Sequence, residues 1–244
     1  MANWSDPRSD IAGFGGATAA RGEAFDAGLR SYMLSVYFYM ASGVLLTGVV
    51  ALLFASSGMA ASVFTGPGIL KYIVMFAPLL FVMVLSFGIN RLSTVAAQGL
   101  FWAYAAVMGV SLSYIFLAYT GTSIAQTFFA TAAAFAGLSL WGYTTKKDLS
   151  GFGTFLIMGV VGLLVASLIN IFMQSNAMSL VISGVGVLLF AGLTAYDTQK
   201  IKSIYAQVAG TDMMGKSVVM GALNLYLDFI NMFMFLLRLF GDRR

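Results

Sequence analysis

Four long stretches of this chain contain no charged side chain, and this feature limits its fold more than any other. Charged residues make up only 9% of the 244 residues, against roughly 25% in an ordinary soluble domain. Apolar residues make up 60%, too many to bury in the core of a soluble chain of this length and far too many for a disordered one. We therefore predict an all-α protein that crosses a membrane several times. The charge-free stretches are 31–70, 72–90, 92–145 and 149–196.

Turn-forming residues along the chain separate seven apolar segments, each with the length of about 20 residues that a membrane-crossing helix needs. Gly121-Thr122-Ser123 separates the third from the fourth segment, and Gln174-Ser175-Asn176 separates the fifth from the sixth. A linker over 203–217 is expected between the sixth and the seventh. The predicted spans are 35–55, 72–91, 99–119, 124–144, 151–173, 178–200 and 218–238.

The first thirty residues differ from the rest of the chain in composition. They combine charged residues with Gly and Ala, and no apolar core precedes Arg30, so they do not form a secretory signal peptide. We predict two regions: a polar cytoplasmic tail over 1–30, with a short interfacial helix over 18–30, and a seven-helix transmembrane domain over 31–244.

The positions of Lys and Arg predict the orientation in the membrane. With seven spans, nine of the 13 Lys and Arg residues fall on the side of the amino terminus and four on the other side. Because the cytoplasmic side carries the excess of Lys and Arg, we expect the amino terminus inside and the carboxyl terminus outside. The nine are Arg8, Arg21, Arg30, Arg91, Lys146, Lys147, Lys200, Lys202 and Lys216; the four are Lys71, Arg238, Arg243 and Arg244.

Composition also excludes several classes of function. The chain has neither Cys nor His, which removes thiolate and imidazole chemistry and the metal sites that depend on them. No glycine-rich phosphate loop is present, and residues 218–237 contain no Lys that could hold retinal. The net charge of +4 is explained by the loops, so we expect no nucleic-acid partner. We also expect no tightly bound cofactor.

Asp228 is the most informative residue, because it lies near the middle of the last span. An acidic side chain there costs about 2.5–3.5 kcal/mol on insertion scales. At helical spacing it shares one face with Gly221, Asn224 and Asn231, and such a face belongs in the bundle interior or in a wet cavity. Two interpretations remain open: a structural hydrogen bond between helices, or a site for an ion or a proton.

Two further charged residues are candidates with weaker support. Asp197 lies toward the cytoplasmic end of the sixth span, where Lys200 three residues later could simply pair with it. Arg91 ends the second span, where its simplest role is that of a membrane-interface anchor. Residue types and spacing alone do not decide between these roles.

Three segments carry a resemblance to a known family. On the basis of these segments, the chain from about Tyr32 to its end resembles the Bax inhibitor-1 (transmembrane Bax inhibitor motif) family. Within that family it resembles the bacterial branch. The segments are Gly-Leu-Ser-Leu-Trp-Gly-Tyr-Thr-Thr-Lys-Lys-Asp-Leu-Ser at 137–150, Ala-Tyr-Asp-Thr-Gln-Lys-Ile-Lys at 195–202, and 222–231 with its continuation to 241.

The resemblance implies both a fold and a function. It implies six helices around a central seventh in the bacterial inner membrane, and a calcium-leak pathway with a paired-aspartate pH sensor. The sensor would be Asp197 and Asp228, and an arginine that latches it would be Arg91. The family also includes a modulator of the membrane-bound FtsH protease, so a protease of that type is a candidate partner.

The chemistry of the residues agrees with part of this. Two carboxylates held together cannot both be ionised cheaply, so they titrate as a unit. Asp197 and Asp228, even with Asn224 and Asn231, are too few for the 6–8 oxygens of a tight Ca²⁺ site, so Ca²⁺ would bind weakly. One difficulty is depth, because the predicted spans place Asp197 near the interface and Asp228 at mid-membrane.

Three function classes follow. The first is a pH-sensitive leak for calcium or other cations, and the second is a regulatory partner of a quality-control protease that acts through residues 1–30. The third, an intramembrane aspartyl protease, needs a Tyr-Asp and a Gly-x-Gly-Asp motif. Tyr196-Asp197 fits the first motif but Leu227-Asp228 breaks the second, so we do not expect an enzyme.

Overall fold

The structure is a computed structural model that describes the backbone of residues 8–244 and the side chains of residues 23–244. This part of the chain is helical, with no β-strand in it beyond one isolated bridge between Tyr119 and Arg243. The predicted all-α class is confirmed. The helices are α1 (Arg8–Ser56), α2 (Met59–Thr65), α3 (Leu70–Gly88), α4 (Thr94–Leu112), α5 (Ile115–Ala118), α6 (Gly121–Thr144), α7 (Ser150–Met173), α8 (Asn176–Val208) and α9 (Met213–Phe240).

Seven helical segments are long and apolar enough to cross a membrane, which confirms the predicted number. The third segment combines α4 with the single turn α5, whereas the short α2 was not predicted. The seven segments are Glu23–Ser56, Leu70–Gly88, Thr94–Ala118, Gly121–Thr144, Ser150–Met173, Asn176–Val208 and Met213–Phe240.

Side-chain caps explain why three of these helices begin where they do. The hydroxyl oxygens of Ser93, Thr120 and Ser175 accept hydrogen bonds from backbone N–H groups in the first turns of α4, α6 and α8. Each cap satisfies a donor that the first turn of a helix leaves without a partner. Two of these caps lie in or next to the turn sequences that separated the predicted spans.

The predicted linker over 203–217 is wrong. Helix α8 continues to Val208 and α9 begins at Met213, so only 209–212 connect them. The residues on either side stay helical because they pack on α1 near the beginning of the first span. The Tyr32 hydroxyl lies 2.7 Å from Ser217 Oγ, and the ring centroids of Tyr32 and Tyr205 are 5.3 Å apart.

The second span also ends earlier than predicted. Helix α3 ends at Gly88, and Arg91 lies in the exposed turn before α4 rather than at the end of the helix. Because the backbone N–H groups of Arg91 and Leu92 both donate to the Gly88 carbonyl, the chain turns immediately after α3.

The polar segment 1–30 is described only in part. Residues 1–7 lie outside the described residues, and side chains are described from Glu23 onward. From there α1 runs without a break into the first span, so the expected boundary at residue 30 does not interrupt a helix. Leu29 and Tyr32 are buried, which shows that packing of the bundle begins at this level.

Helix α9 is the most buried of the seven spans. Inside the bundle, 67% of its most apolar stretch is buried, against 11% for α3 and for α7. Its principal neighbours are α1, α4, α6 and α8, whereas α3 packs on α4 and α7 packs on α8. These contacts place α9 at the core; the arrangement of all six other spans around it stays a prediction.

Candidate functional site between α8 and α9

Two close contacts fix the register between the antiparallel helices α8 and α9. A Cβ atom at Gly221 would lie 3.3 Å from the Ile201 side chain, and one at Gly186 would lie 2.6 Å from the Phe235 ring. This register puts Asp197 level with Asn224 and Leu225 on α9. Asp228 is then three to four residues further along, about 5–6 Å of helix axis.

The difficulty of depth that the predicted spans raised therefore disappears. The predicted sixth span places Asp197 close to the interface because that span ends at residue 200. Since α8 continues to Val208, Asp197 lies three turns inside the helix and within one turn of the level of Asp228.

Asp228 is buried in the bundle core. Its side chain is 4% exposed, and its Oδ2 atom has no hydrogen-bond partner among the described residues. A carboxyl oxygen in this position is unusual, because nearly all buried polar atoms are hydrogen-bonded. The interpretation of Asp228 as a satisfied structural hydrogen bond therefore loses support, at least for this oxygen.

Asp197 is half-buried on the facing helix, within one turn of the level of Asp228. Lys200, one turn further along α8, is exposed, and its Nζ atom lies 5.8 Å from the centre of the Tyr196 ring. The structure thus brings the two predicted aspartates to nearly the same level of the bundle, with Lys200 on the outward side of Asp197.

The two asparagines of the predicted face behave differently. Asn231 donates from Nδ2 to the Leu227 carbonyl of its own helix at 2.8 Å. This hydrogen bond directs its amide group toward the backbone of α9. Asn224 is half-buried at the level of Asp197. Of the two amides, that of Asn224 has the better position to take part in a site with the carboxylates.

Arg91 lies far from the aspartates. The turn that contains Arg91 leads into Thr94, which packs against Gly215 near the beginning of α9. A Cβ atom at Gly215 would lie 2.6 Å from the methyl carbon of Thr94. Asp228 is 13 residues beyond Gly215 on α9, about 20 Å at helical rise. The structure therefore does not bring Arg91 to the aspartate pair, and its predicted latch role would require movement.

Helix α8 is held in place by close packing against α6. A Cβ atom at Gly142 would collide with the backbone of Ala195, at 2.9 Å from its Cα. One turn away, the hydroxyls of Ser139 and Thr198 are 3.1 Å apart. Because glycine allows this approach, the α8 segment that carries Asp197 is positioned by backbone contact rather than by flexible side chains.

The loop between α6 and α7 is fastened to α8 by one side chain. Gln199 donates from Nε2 to the Lys147 carbonyl and accepts from the Leu149 backbone N–H, both at 2.8 Å. In the same loop the Ser150 backbone N–H donates to Asp148, and this hydrogen bond lowers the pKa of that exposed carboxyl below its ordinary value. The loop therefore stays ordered and charged beside the aspartate site.

Gln199, Ser139 and Thr198 were not predicted as functional residues. The one signal for them was their position inside the segments 137–150 and 195–202, which carried the family resemblance. Spacing could not identify them, because each makes its contact with a residue more than 45 positions away.

A second buried polar group lies on another face of α9. The Tyr226 hydroxyl is 2.7 Å from Thr47 Oγ1, and Thr47 donates to the Ala105 carbonyl at 2.8 Å. Tyr104 packs edge-on against Tyr226, with ring centroids 5.3 Å apart, and its buried hydroxyl has no partner in the described part of the chain. These contacts tie α9 to α1 and α4.

The acidic residues of the site are few for a metal. Residues 23–244 contain no group of three or more His, Cys, Asp or Glu side chains that could hold an ion. Two carboxylates and one amide provide fewer oxygens than the 6–8 that Ca²⁺ takes. The geometry fits transient cation contact or proton exchange better than tight binding.

Similar proteins extend over nearly the whole chain. An uncharacterized protein of Rickettsia prowazekii (strain Madrid E) is 47% identical over 228 residues, which is 93% of this chain and 96% of the relative. The inner membrane protein YbhL of Escherichia coli (strain K12) is 46% identical over 220 residues, 89% of this chain and 94% of the relative. An uncharacterized protein of Caulobacter vibrioides is 45% identical over 230 residues, 90% and 91% of the two chains.

These relatives and the fold agree on the class of the protein. The seven apolar spans and the similarity to YbhL identify a multi-pass protein of the inner membrane. The family described as "Inhibitor of apoptosis-promoting Bax1" matches residues 29–244, which include all three segments of the predicted resemblance and both aspartates. The chain therefore belongs to the Bax inhibitor-1 family.

Proposed function

We propose that this protein is a pH-sensitive leak for calcium or other cations, with Asp197 and Asp228 as its sensor, and that it is not an enzyme. One observation carries the proposal. Asp228 Oδ2, in the core of the bundle, has no hydrogen-bond partner among the residues whose side chains are described, and Asp197 lies within one turn of its level on the facing helix.

The ionisation of this pair gives a physical basis for the pH dependence. An ionised Asp228 would be a buried charge beside a second negative charge, with one oxygen lacking a donor. A proton shared by the pair removes that repulsion, and a passing cation would remove it too. A change in protonation therefore alters both the packing of α8 against α9 and the attraction for cations.

The weakness of the metal site is consistent with a leak. An ion that is held by two carboxylates and the Asn224 amide keeps much of its water, and it can leave as easily as it enters. A latch by Arg91 is not part of the arrangement described above. It would require the turn between α3 and α4 to approach the pair by many ångströms.

Ion flux in liposomes tests the proposal. Purified protein is reconstituted with a Ca²⁺ indicator inside the vesicles, and flux is followed over about pH 5 to 8, a range chosen to include carboxyls perturbed by a neighbour. We expect flux that depends on pH. The absence of cation flux at every pH, with folded protein in the vesicles, would contradict a leak.

A second candidate function is regulation of an FtsH-type membrane protease. One observation favours it: α8 has 33 residues, about 50 Å at helical rise, against about 30 Å of hydrocarbon thickness. Its end packs on α1 through Phe25 and Tyr205, whose ring centroids are 5.1 Å apart. The part of α8 that extends beyond the hydrocarbon gives a partner a surface to bind next to residues 23–30.

Deletion of residues 2–22 is expected to leave the bundle folded and to reduce co-purification of the FtsH-type protease. The deletion spares Phe25 and its contact with Tyr205, whereas it removes four of the seven charged residues of segment 1–30. Co-purification is compared between the full chain and the truncated chain at equal expression. Equal recovery of the protease would remove this segment from the adaptor hypothesis.

The orientation gives a further prediction, with the amino terminus in the cytoplasm and the carboxyl terminus outside. The seven observed spans keep the nine-to-four division of Lys and Arg. A reporter that works only outside the cytoplasm should be active when fused after Arg244 and inactive when inserted after Lys147. The opposite pair of results would show that the orientation is reversed.

A further inference from the structure

An open seam between α1 and α6 runs along the membrane face of the bundle. In the described part of the chain, α1 packs on α4, α8 and α9, and α6 packs on α8 and α9, but α1 and α6 stay apart along most of their length. Phe229 of α9 forms the floor of the seam. One side of the most buried helix is therefore accessible from the lipid phase between two of its neighbours.

The seam contains a cavity of about 800 Å³, which lies within the range of roughly 300–1,000 Å³ typical of ligand sites. A second cavity of about 320 Å³ continues it toward the other end of the two helices and shares Val44, Phe128 and Phe229 with it. The walls of the larger cavity are apolar over most of its length, with Met40 and Val44 from α1, and Phe128, Ala132 and Phe135 from α6.

The polar residues of the larger cavity are concentrated toward one end, and Tyr37 lies two turns from Arg30 along α1. Arg30 from α1 and Tyr143 from α6 line one end, near the beginning of the first span, and Ser139 lies one turn deeper. Arg30 is exposed, so its guanidinium is available at the rim. The cavity is thus amphipathic along its axis, with a cation at the rim and aromatic rings in the interior.

A second cation lies next to this rim, in contact with Tyr143 but outside the lining of the cavity. Lys202 of α8 donates from Nζ to the Tyr143 carbonyl at 2.9 Å and lies 4.6 Å from the centre of the Tyr143 ring. An ammonium group has three donors, and this hydrogen bond uses one of them. Asp26, one turn before Arg30, is exposed and does not line the cavity.

We propose that the seam is a binding site for one anionic phospholipid of the leaflet on the amino-terminal side. Its phosphate lies at Arg30 and Lys202, and one acyl chain follows the apolar walls to Phe128 and Phe229. A basic pocket between transmembrane helices suits an anionic head group, and the charge at the rim explains why an anionic lipid is preferred over a zwitterionic one of equal chain length.

Native mass spectrometry of the purified full chain tests the proposal with phosphatidylglycerol and phosphatidylcholine of identical acyl chains. We expect one phosphatidylglycerol to be retained in preference to phosphatidylcholine. Arg30→Gln should reduce that preference about fivefold, the effect of one cation near a head group, and Arg30→Lys should keep most of it. Ala136→Trp, which fills the cavity from α6, should reduce retention of both lipids.

Two matched controls complete the experiment. Arg243→Gln removes an exposed arginine away from the cavity, and Ala133→Trp adds the same ring to an exposed position of α6 outside the lining; both should retain phosphatidylglycerol like the wild type. If Ala136→Trp does not fold, Leu140→Trp replaces it, since Leu140 lines the same cavity and is exposed. Equal retention of the two lipids by the wild type, or unchanged preference in Arg30→Gln, would overturn the proposal.

Discussion

Asp228→Asn should abolish the pH dependence of cation flux in liposomes, whereas wild-type flux should change by up to about tenfold per pH unit where the pair titrates. The substitution keeps the size of the side chain and replaces a group that exchanges a proton by an amide that does not. Because the pair shares its ionisation, Asp197→Asn should have the same effect. The double variant should add little, as expected for two coupled residues.

The control for this experiment is Asp212→Asn, the same chemical change in the exposed turn between α8 and α9. It should keep the wild-type pH profile, because Asp212 lies outside the bundle core. If Asp228→Asn also keeps that profile while flux persists, the buried aspartate has a structural role and the sensor proposal is wrong.

Gly142→Ala should destabilise the protein by about 1–3 kcal/mol, the usual cost of overpacking a close contact. The added methyl group would collide with the Ala195 backbone, including its carbonyl oxygen. Backbone atoms cannot rotate away as a side chain can, so α6 and α8 must separate. Thermal unfolding of the two proteins in the same detergent measures the difference.

Gly137→Ala provides the matched comparison on the same helix, because a Cβ atom at Gly137 would meet nothing within 4 Å. Alanine is a better helix former than glycine by about 1 kcal/mol, so this variant should be as stable as the wild type or slightly more stable. Equal melting temperatures for the Gly142→Ala and Gly137→Ala proteins would show that the α6–α8 contact is not tight in solution.

The number of helices could be predicted from the sequence because each span has a simple requirement. About 20 apolar residues between turn signals are enough to identify a membrane-crossing helix, and Thr120 and Ser175 confirm two of those signals as caps. The end of α8 and the beginning of α9 could not be predicted in the same way. Residues 203–217 are polar, and only their packing against α1 shows that most of them continue the helices.

Part of the candidate site could be predicted and part could not. The cost of a charge at mid-membrane singled out Asp228 from the sequence alone, whereas Asp197 required the family resemblance. Their proximity depends on the register of α8 against α9, which residues such as Gly186 and Gly221 determine. Sequence spacing contains no information on such contacts, and for the same reason it could not show that Arg91 lies far from the pair.

The burial of α9 has a consequence for how the bundle is made. This helix follows the other six spans in the chain, so a ribosome delivers it to the membrane after all of them. Until then α1, α4, α6 and α8 lack the surface on which they later pack. Helix α9 carries both the aspartate and the contacts that join its neighbours, so the nascent bundle completes its core and acquires its buried carboxyl group in the same step of biogenesis.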